Sequence, residues 1–327
     1  MAHRGFDEQI EALEALKDRA LDNEAVLLVK KSLASRNNYV VAKAARLAEE
    51  SSLLDLVPDM LAAFDRFFTN PEKSDPQCWA KNALSKALTK LECRDKQVFL
   101  RGLRHHQMEP VWGGKSDSAG TLRAQCAHAL IACDGVDNQQ LLVYLLEPLV
   151  DKDKSVRVEA VRAIAQLGES ATAVLRLRAL IPGEEPEILA ACFNGLLDID
   201  RDSGLDFVAS FLEAADDSAA EAALALAQTR TVQALAFLLH RHKSPMEPWL
   251  GGVLLSAIAL TRLLEAVDFL MAMIERDDRE APAAIEALAR LVPNDQLILR
   301  IEQAVQGTDS FRLKKALREH LPTASID

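Results

Sequence analysis

The most recognisable chemistry in this sequence lies in EPVWGGKSDSAG, residues 109–120, which contains a Gly-Lys-Ser triplet at 114–116. Such a triplet ends the P-loop of nucleotide-binding proteins, whose backbone N–H groups hold phosphate. A complete P-loop has another glycine five residues before the second one, and Glu109 occupies that position here. A carboxylate there would repel phosphate, and no strand pattern precedes the loop. The sequence therefore predicts no nucleotide site.

Other reactive side chains also lack the spacing that their chemistry requires. Cys126 and His128 are two residues apart, whereas metal ligands on one helical face stand three or four apart. The acidic run DIDRDSGLDF, which begins at Asp198, departs from a calcium loop at the required glycine and glutamate. No Ser/His/Asp or Cys/His arrangement has local support. We therefore predict no metal, no cofactor and no catalytic residue, in a protein that is not an enzyme.

The composition indicates which elements must carry any site. Apolar residues make up 49% of the 327 residues and aromatic residues only 5%, so Ala and Leu supply most of the apolar content. Both are strong helix formers. The 13 glycines and 12 prolines are few for a chain of many short strands and tight turns. The composition is typical of an all-α protein.

The cysteines and the hydropathy of the chain indicate the cellular compartment in which the protein would be found. The five cysteines are odd in number and none belongs to a CxxC pair, which is typical of free thiols in a reducing compartment. No apolar run reaches the ~18 residues of a membrane span, and the N-terminal stretch lacks the apolar core of a signal peptide. We predict a cytoplasmic protein that does not contact a membrane.

The net charge of −11 is unevenly distributed. Residues 1–110 contain 17 basic and 17 acidic side chains, so the excess of acidic residues lies wholly in the remainder. Proteins that bind nucleic acid without sequence preference are more often basic. This acidic protein is therefore not predicted to bind nucleic acid.

A helical pattern recurs along the chain with a period of a little over thirty residues. In VRVEAVRAIAQLG, residues 156–168, small and apolar side chains recur at helical spacing. The same stripe occurs in LRAQCAHALIAC, which begins 34 residues earlier at Leu122, and in ILAACFNGLLDI, which begins 32 residues later at Ile188. A second apolar helix lies between successive stripes. Each unit is thus a helix pair that buries its faces only against stacked neighbours.

The segment DKDKSVRVEAVRAIAQLG, residues 151–168, resembles a HEAT repeat, particularly the short bacterial kind found in phycobilin-lyase-like proteins. The resemblance implies an α-α superhelix, a HEAT-like solenoid of stacked antiparallel helix pairs. It also implies that Asp153 and Arg157 tie successive layers together, with Arg123 at the equivalent position one unit earlier. We predict irregular HEAT-like helices in residues 1–110 and regular repeats in 111–327, continuous as one solenoid.

An extra length of chain interrupts the period at residues 107–119. We interpret this segment as an inserted connection between repeats, or as a loop that contacts a partner. Its side chains at 116–118 could cap the helix that follows, its glycine pair allows turn conformations, and Trp112 could cover the open end of a groove between repeats.

A basic stretch at residues 79–106 carries a net charge of +5 and lies partly on a predicted second helix. In HEAT solenoids the second helices line the concave face. One hypothesis is that basic side chains converge on one concave strip, beside Trp79, and bind an acidic partner; the alternative is that they are ordinary solvated helix faces. The basic residues of this predicted strip are Lys43, Arg46, Lys81, Lys86 and Arg123.

Two functions of different classes remain from the sequence. The resemblance favours a non-catalytic scaffold that binds a protein or peptide on an extended concave surface. Trp79, Trp112 and the basic stretch also invite comparison with HEAT-like DNA-alkylation glycosylases, and the family resemblance includes phycobilin lyases. The net negative charge opposes the DNA-binding alternative, because phosphate would be repelled.

Overall fold

A computed structural model describes residues 2–17, 20–291 and 295–321, with side chains from residue 6 onward. The chain forms two compact units, Met1–Ala171 and Thr172–Asp327. The division into residues 1–110 and 111–327 concerns how regular the repeats are, and it stays a prediction.

The first unit is mostly helical and contains a β-hairpin. Short 3-10 turns precede or follow several of its helices, as at Pro76–Cys78 and Pro148–Val150. Its helices and strands are α1 (Ala2–Glu14), α2 (Asn23–Leu33), α3 (Asn38–Glu50), α4 (Val57–Arg66), α5 (Pro71–Ser74), α6 (Trp79–Lys90), α7 (Lys96–Leu103), β1 (Met108–Val111), β2 (Gly114–Asp117), α8 (Gly120–Ala129), α9 (Asn138–Leu146) and α10 (Lys154–Ala165).

The second unit continues the alternation of helices without strands in its described part. Its helices are α11 (Thr172–Ala179), α12 (Pro186–Ile199), α13 (Arg201–Ala209), α14 (Asp217–Gln228), α15 (Val232–His242), α16 (Pro248–Leu260), α17 (Leu264–Glu275), α18 (Ala281–Ala289), α19 (Asp295–Thr308) and α20 (Phe311–His320).

Within each unit, alternate helices form a continuous row. In the first unit α3, α6, α8 and α10 pack in that order, and in the second α12, α14, α16, α18 and α20 do the same. The remaining helices pair with them as a second layer. Small side chains such as Ala44, Ala87 and Ala127 are completely buried along the first row, which lets neighbouring helix axes approach closely. The predicted all-α fold of stacked helix pairs is confirmed.

Aspartate caps explain where many of these helices begin. The carboxylate of the N-cap residue accepts a hydrogen bond from a backbone N–H of the first turn, which would otherwise lack a partner. This arrangement recurs at Asp22, Asp95, Asp137, Asp153, Asp200 and Asp216. In the described part of the chain, no helix is both long and apolar enough to cross a bilayer.

The segment 107–119, which we interpreted as an inserted connection, folds into an antiparallel hairpin. Strand β1 pairs with β2 in the register Met108↔Asp117 to Val111↔Gly114. Trp112 and Gly113 form the two-residue turn, where Gly113 has a φ of +88°, a conformation that glycine adopts without strain. The hairpin is too short to affect the composition of the whole chain, so composition did not predict it.

Candidate binding site on the first unit

An open pocket of about 690 Å³ lies between α1, the start of α3 and the turn before α6. Three aromatic rings, those of Phe6, Tyr39 and Trp79, line it together. The Phe6 and Tyr39 ring centroids are 6.1 Å apart, and those of Tyr39 and Trp79 are 5.4 Å apart. Both pairs are tilted, so the rings form a curved wall. We call this the aromatic pocket.

The turn that carries Trp79 into the pocket has an unusual backbone. Gln77 and Cys78 are consecutive and both have positive φ values, +58° and +54°, which are uncommon for residues other than glycine. Such a conformation persists only where surrounding contacts hold it. Oε1 of Gln77 accepts a hydrogen bond from the Trp79 indole N–H at 3.1 Å. The indole N–H is therefore engaged within the turn, while the Trp79 side chain lines the pocket.

A completely buried ion pair is hydrogen-bonded to the start of α6, directly after this turn. The Asp75 carboxylate accepts hydrogen bonds from the backbone N–H groups of Ala80 at 2.8 Å and Lys81 at 3.0 Å, which caps α6. Its Oδ2 atom also lies 3.0 Å from Nζ of Lys81, and both side chains have no exposed surface. On the pocket side, Asn38 donates its amide N–H to Asp75 at 3.0 Å. The buried pair therefore connects the pocket-lining residues of α3 to α6.

The hairpin is attached to the same turn. Glu109 of β1 accepts a hydrogen bond from the backbone N–H of Gln77 at 2.7 Å. The buried Gln107 donates from its side chain to the Asp75 carbonyl at 2.9 Å and accepts from the Cys78 thiol at 3.3 Å. Burial raises the pKa of Cys78 to about 11, so the thiol stays protonated as this donor. The aromatic pocket and the hairpin thus share one anchoring network.

Trp112 lies at the tip of that hairpin and is fully solvent-exposed, at 103% relative accessibility. The prediction that it covers a groove between repeats is wrong, because its ring covers nothing. Val111 and Met108, on the strand before it, are also exposed. The hairpin therefore extends an apolar tip into solvent, while its Glu109 contacts the turn that lines the aromatic pocket.

The other end of the hairpin is held by a charge network around Arg123. Arg123 contacts Asp117 of β2 at 2.7 Å and Asp151 at 2.7 and 3.0 Å. Asp117 also accepts the N–H groups of Gln107 and Ala119. Because Ala119 precedes α8 and no side chain caps the first turn of that helix, the predicted capping by residues 116–118 is wrong. Although burial alone would raise it, these hydrogen bonds together with His106 and Arg123 hold the pKa of Asp117 well below its usual range. The network joins the hairpin to α8 and to the turn before α10.

Two residues of the predicted basic strip cannot contact a partner in this structure. Lys81 has no exposed side-chain surface, and Arg123 has 4%. Both are engaged by carboxylates within the protein, so including them in a partner-binding strip was wrong. Their repeat positions place them toward the core, where a charge needs a partner.

The other three strip residues are accessible, and two of them are paired. Nζ of Lys43 lies 2.6 Å from Glu14 and 5.7 Å from the Tyr39 ring centroid. Lys86 pairs with Glu49 at 3.3 Å. Arg46 is exposed, and no ion pair to another described residue forms there. The strip is therefore largely neutralised by the protein's own carboxylates.

The residues predicted to tie repeat layers both make contacts near the start of α10. Asp153 caps α10 through the N–H of Ser155 at 2.9 Å, and its carboxylate lies against Gly120 of α8, where a Cβ would come within 1.9 Å of it. Arg157 donates to the carbonyl oxygens of Asp151 and Lys152. Arg123, at the equivalent position one unit earlier, joins α8 to the turn before α10 through Asp151, and the layer-tying role of Asp153 and Arg157 stays a prediction.

All three tryptophans of the chain are exposed, which is the most unusual feature of the surface. Their relative accessibilities are 46% for Trp79, 103% for Trp112 and 45% for Trp249, near the start of α16 in the second unit. Tryptophan is highly buried on average in folded proteins, and it is enriched at the energetic centres of binding interfaces. The described residues hold no group of three or more His, Cys, Asp or Glu side chains that could bind a metal.

Comparisons with known proteins identify no family. No family model matches the chain, and no curated protein matches it. The similar solved structures include human deoxyhypusine hydroxylase in complex with glycerol, at 13% identity and a TM-score of 0.30, covering 79% of this chain and 89% of that one. Another is an engineered protein, at 15% identity and a TM-score of 0.37, covering 97% of this chain and 95% of that one. The HEAT family remains a resemblance.

Sequence reasoning found Trp79 and Trp112 but missed the residues that surround them. Phe6 and Tyr39 stand more than thirty residues apart in sequence, and only the packing of α1 on α3 brings their rings together. Asp75 precedes a proline and looks like an ordinary turn residue. The sequence offered one signal, which concerns the burial of Lys81. Trp79 and Leu122 open equivalent helices, and the residue two positions after Leu122 is the buried Ala124, so Lys81, two positions after Trp79, occupies a core position.

Proposed function

We propose that this protein is a non-catalytic binding protein of HEAT-like architecture, and that its ligand is a protein or peptide. The binding surface would comprise the aromatic pocket and the neighbouring hairpin of the first unit. The observation that carries this proposal is the exposure of every tryptophan in a chain with only 5% aromatic residues.

The free-energy cost of exposing these rings to water supports a binding role for them. An exposed indole leaves a large apolar surface in water, which costs about 25 cal/mol for each Å² compared with burial. The turn that carries Trp79 contains two positive-φ residues and is bonded to a buried ion pair, and the rings line an open pocket although their collapse would remove apolar surface from water. Rigid aromatic side chains beside a pocket are typical anchors for a partner's side chains.

The acidic partner predicted from the sequence is not part of this proposal. Lys43 and Lys86 are paired with the protein's own carboxylates, and Asp7 and Glu11 line the aromatic pocket. The same two carboxylates would repel the phosphates of DNA, so the pocket offers nothing to favour a glycosylase.

Affinity capture with tryptophan variants tests the proposal. We expect the tagged wild-type protein to retain a stoichiometric protein partner from lysate of its source cells, and Trp79→Ala and Trp112→Ala each to weaken retention at least tenfold. The reason is that truncating an interface anchor typically costs about 2 kcal/mol or more. Quantitative mass spectrometry of the retained proteins provides the measurement.

Phe311→Ala supplies the matched control, because Phe311 is an aromatic residue of the second unit with 79% exposure. It should retain the partner as the wild type does, and circular dichroism should show all variants folded. Equal retention by the wild type and both tryptophan variants would contradict the proposed surface.

A further inference from the structure

The rim of the aromatic pocket carries negative charge that no other described residue neutralises through an ion pair. Asp7 and Glu11 lie one turn apart on α1, and both are exposed at the pocket. Neither forms a salt bridge with another described residue, whereas Glu14, one turn further along, is paired with Lys43. Two free carboxylates therefore stand beside three aromatic rings.

Aromatic rings and carboxylates attract the same kind of group. The face of an aromatic ring is electron-rich, so a cation within about 6 Å of the ring centroid is stabilised. A nearby carboxylate adds a Coulomb attraction that is strongest outside bulk water. An uncharged apolar ligand would gain from the rings alone, and an anion would be repelled by Asp7 and Glu11.

The protein already shows this chemistry at one edge of the pocket. The Lys43 ammonium lies 5.7 Å from the centroid of the Tyr39 ring and 2.6 Å from Oε1 of Glu14. Glu14 also raises the pKa of Lys43, chiefly through their hydrogen bond. An ammonium beside an aromatic ring and a carboxylate therefore already occurs in this part of the surface.

Two polar donors of the pocket are engaged within the protein. The Trp79 N–H donates to Gln77, and the Asn38 amide donates to Asp75 and to the Pro76 carbonyl. Neither donor is free to bind a ligand, so the rings and the two carboxylates are the groups on which the argument for recognition rests. At about 690 Å³ the pocket has ample room for a long side chain together with part of its backbone.

We propose that the aromatic pocket binds a basic side chain of the partner, a lysine or methylated lysine whose ammonium lies among Phe6, Tyr39 and Trp79 with Asp7 and Glu11 as counter-charges. This inference rests on the proposed function and names the partner group that the pocket recognises. The exposed apolar hairpin beside the pocket favours a side chain on a protein over a free small amine, because it offers a surface for the flanking residues.

Choline and its uncharged carbon analogue 3,3-dimethyl-1-butanol form a matched pair of probes. They are titrated separately, at constant ionic strength, into the full-length variant Trp112→Phe/Trp249→Phe, in which Trp79 is the remaining tryptophan and is excited selectively. We expect choline to bind between about twofold and thirtyfold more tightly than the alcohol, the range that a cation–π contribution supplies. Equal binding of the two probes, or tighter binding of the alcohol, would overturn the inference.

The variant Asp7→Asn/Glu11→Gln tests the counter-charges. Both residues are exposed on α1, so the fold should be preserved, with circular dichroism as the check. Choline should bind several-fold more weakly to this variant, while binding of the alcohol stays unchanged. An unchanged choline affinity would contradict the proposal that these two carboxylates act as counter-charges for the bound cation.

A competition experiment separates this inference from the proposed function. If the partner supplies the cation, saturating choline should release the captured partner, and 3,3-dimethyl-1-butanol at the same concentration should release much less. Choline that binds without releasing the partner would contradict a side chain of the partner as the occupant. If Trp79→Ala abolishes capture while the two probes bind equally, the binding function stands and the cation preference is wrong.

Discussion

Replacing Lys81 with methionine is expected to lower the free energy of unfolding by about 3–5 kcal/mol. The substitution keeps the length and the apolar stem of the side chain but leaves the Asp75 carboxylate buried without its counter-charge. Lys81 also donates to the Phe67 carbonyl at 3.3 Å, and that acceptor loses its partner as well. The measurement is urea unfolding followed by Trp79 fluorescence in the Trp112→Phe/Trp249→Phe background.

The matched control lies on the same helix. Lys86 pairs with Glu49 at 3.3 Å, but its side chain is 57% exposed, so Lys86→Met should cost less than about 1 kcal/mol. The double variant Asp75→Asn/Lys81→Met removes both charges and should be more stable than Lys81→Met alone. A loss below about 1 kcal/mol for Lys81→Met would contradict the buried pair.

Replacing Arg123 with methionine is expected to cost about 3 kcal/mol at neutral pH. Arg123 is the shared partner of Asp117 and Asp151, and its guanidinium has 4% exposed surface. Without it, two carboxylates lie close together with no cation between them. Arg162→Met is the control, because Arg162 is 60% exposed and, among the described residues, forms an ion pair with Glu159 on its own helix alone. It should leave the stability nearly unchanged.

The same variant should change how stability depends on pH. Although burial opposes it, Arg123 lowers the pKa of Asp151 by hydrogen bonding, and it contributes to the lowered pKa of Asp117. A carboxyl group with a lowered pKa in the folded state contributes stability above its unfolded pKa of about 3.9, and this contribution is lost as the pH falls below that value.

We therefore expect the wild type to lose more stability than Arg123→Met between about pH 4 and pH 2, so that the two curves converge. Unfolding free energies measured at several pH values in this interval provide the check. Parallel curves would show that the guanidinium does not set the pKa values of these two carboxyl groups.

The fold follows from the sequence because its signal is repeated. The apolar stripe that begins at Val156 recurs at Leu122 and Ile188, and each copy forms a helix of the continuous row in its unit. Helix starts are similarly local, since an aspartate one residue before a helix caps it without help from distant residues. Periodicity and capping need only a short window of sequence.

The site was less predictable because it depends on distant contacts. The charge of Lys81 suggested a solvated surface residue, but its position in the repeat is a core position, and the burial of Lys81 depends on the Asp75 carboxylate six residues earlier. Phe6 had no counterpart in the repeat and entered the pocket only through the packing of α1 on α3. Assigning each residue its position in the repeat, before considering its charge, would have predicted that Lys81 is buried. It would not have predicted that Phe6 lines the pocket.

Oxidative footprinting of the tryptophans tests the central claim most directly, with mass spectrometry of the free protein and of the complex recovered by capture. In the free protein, the indoles of Trp79 and Trp112 should react with hydroxyl radicals readily. In the complex, both should be protected while Phe311 reacts as before. Protection of Trp79 and Trp112 already in the free protein, or their unchanged reactivity in the complex, would contradict a binding surface built on these two rings.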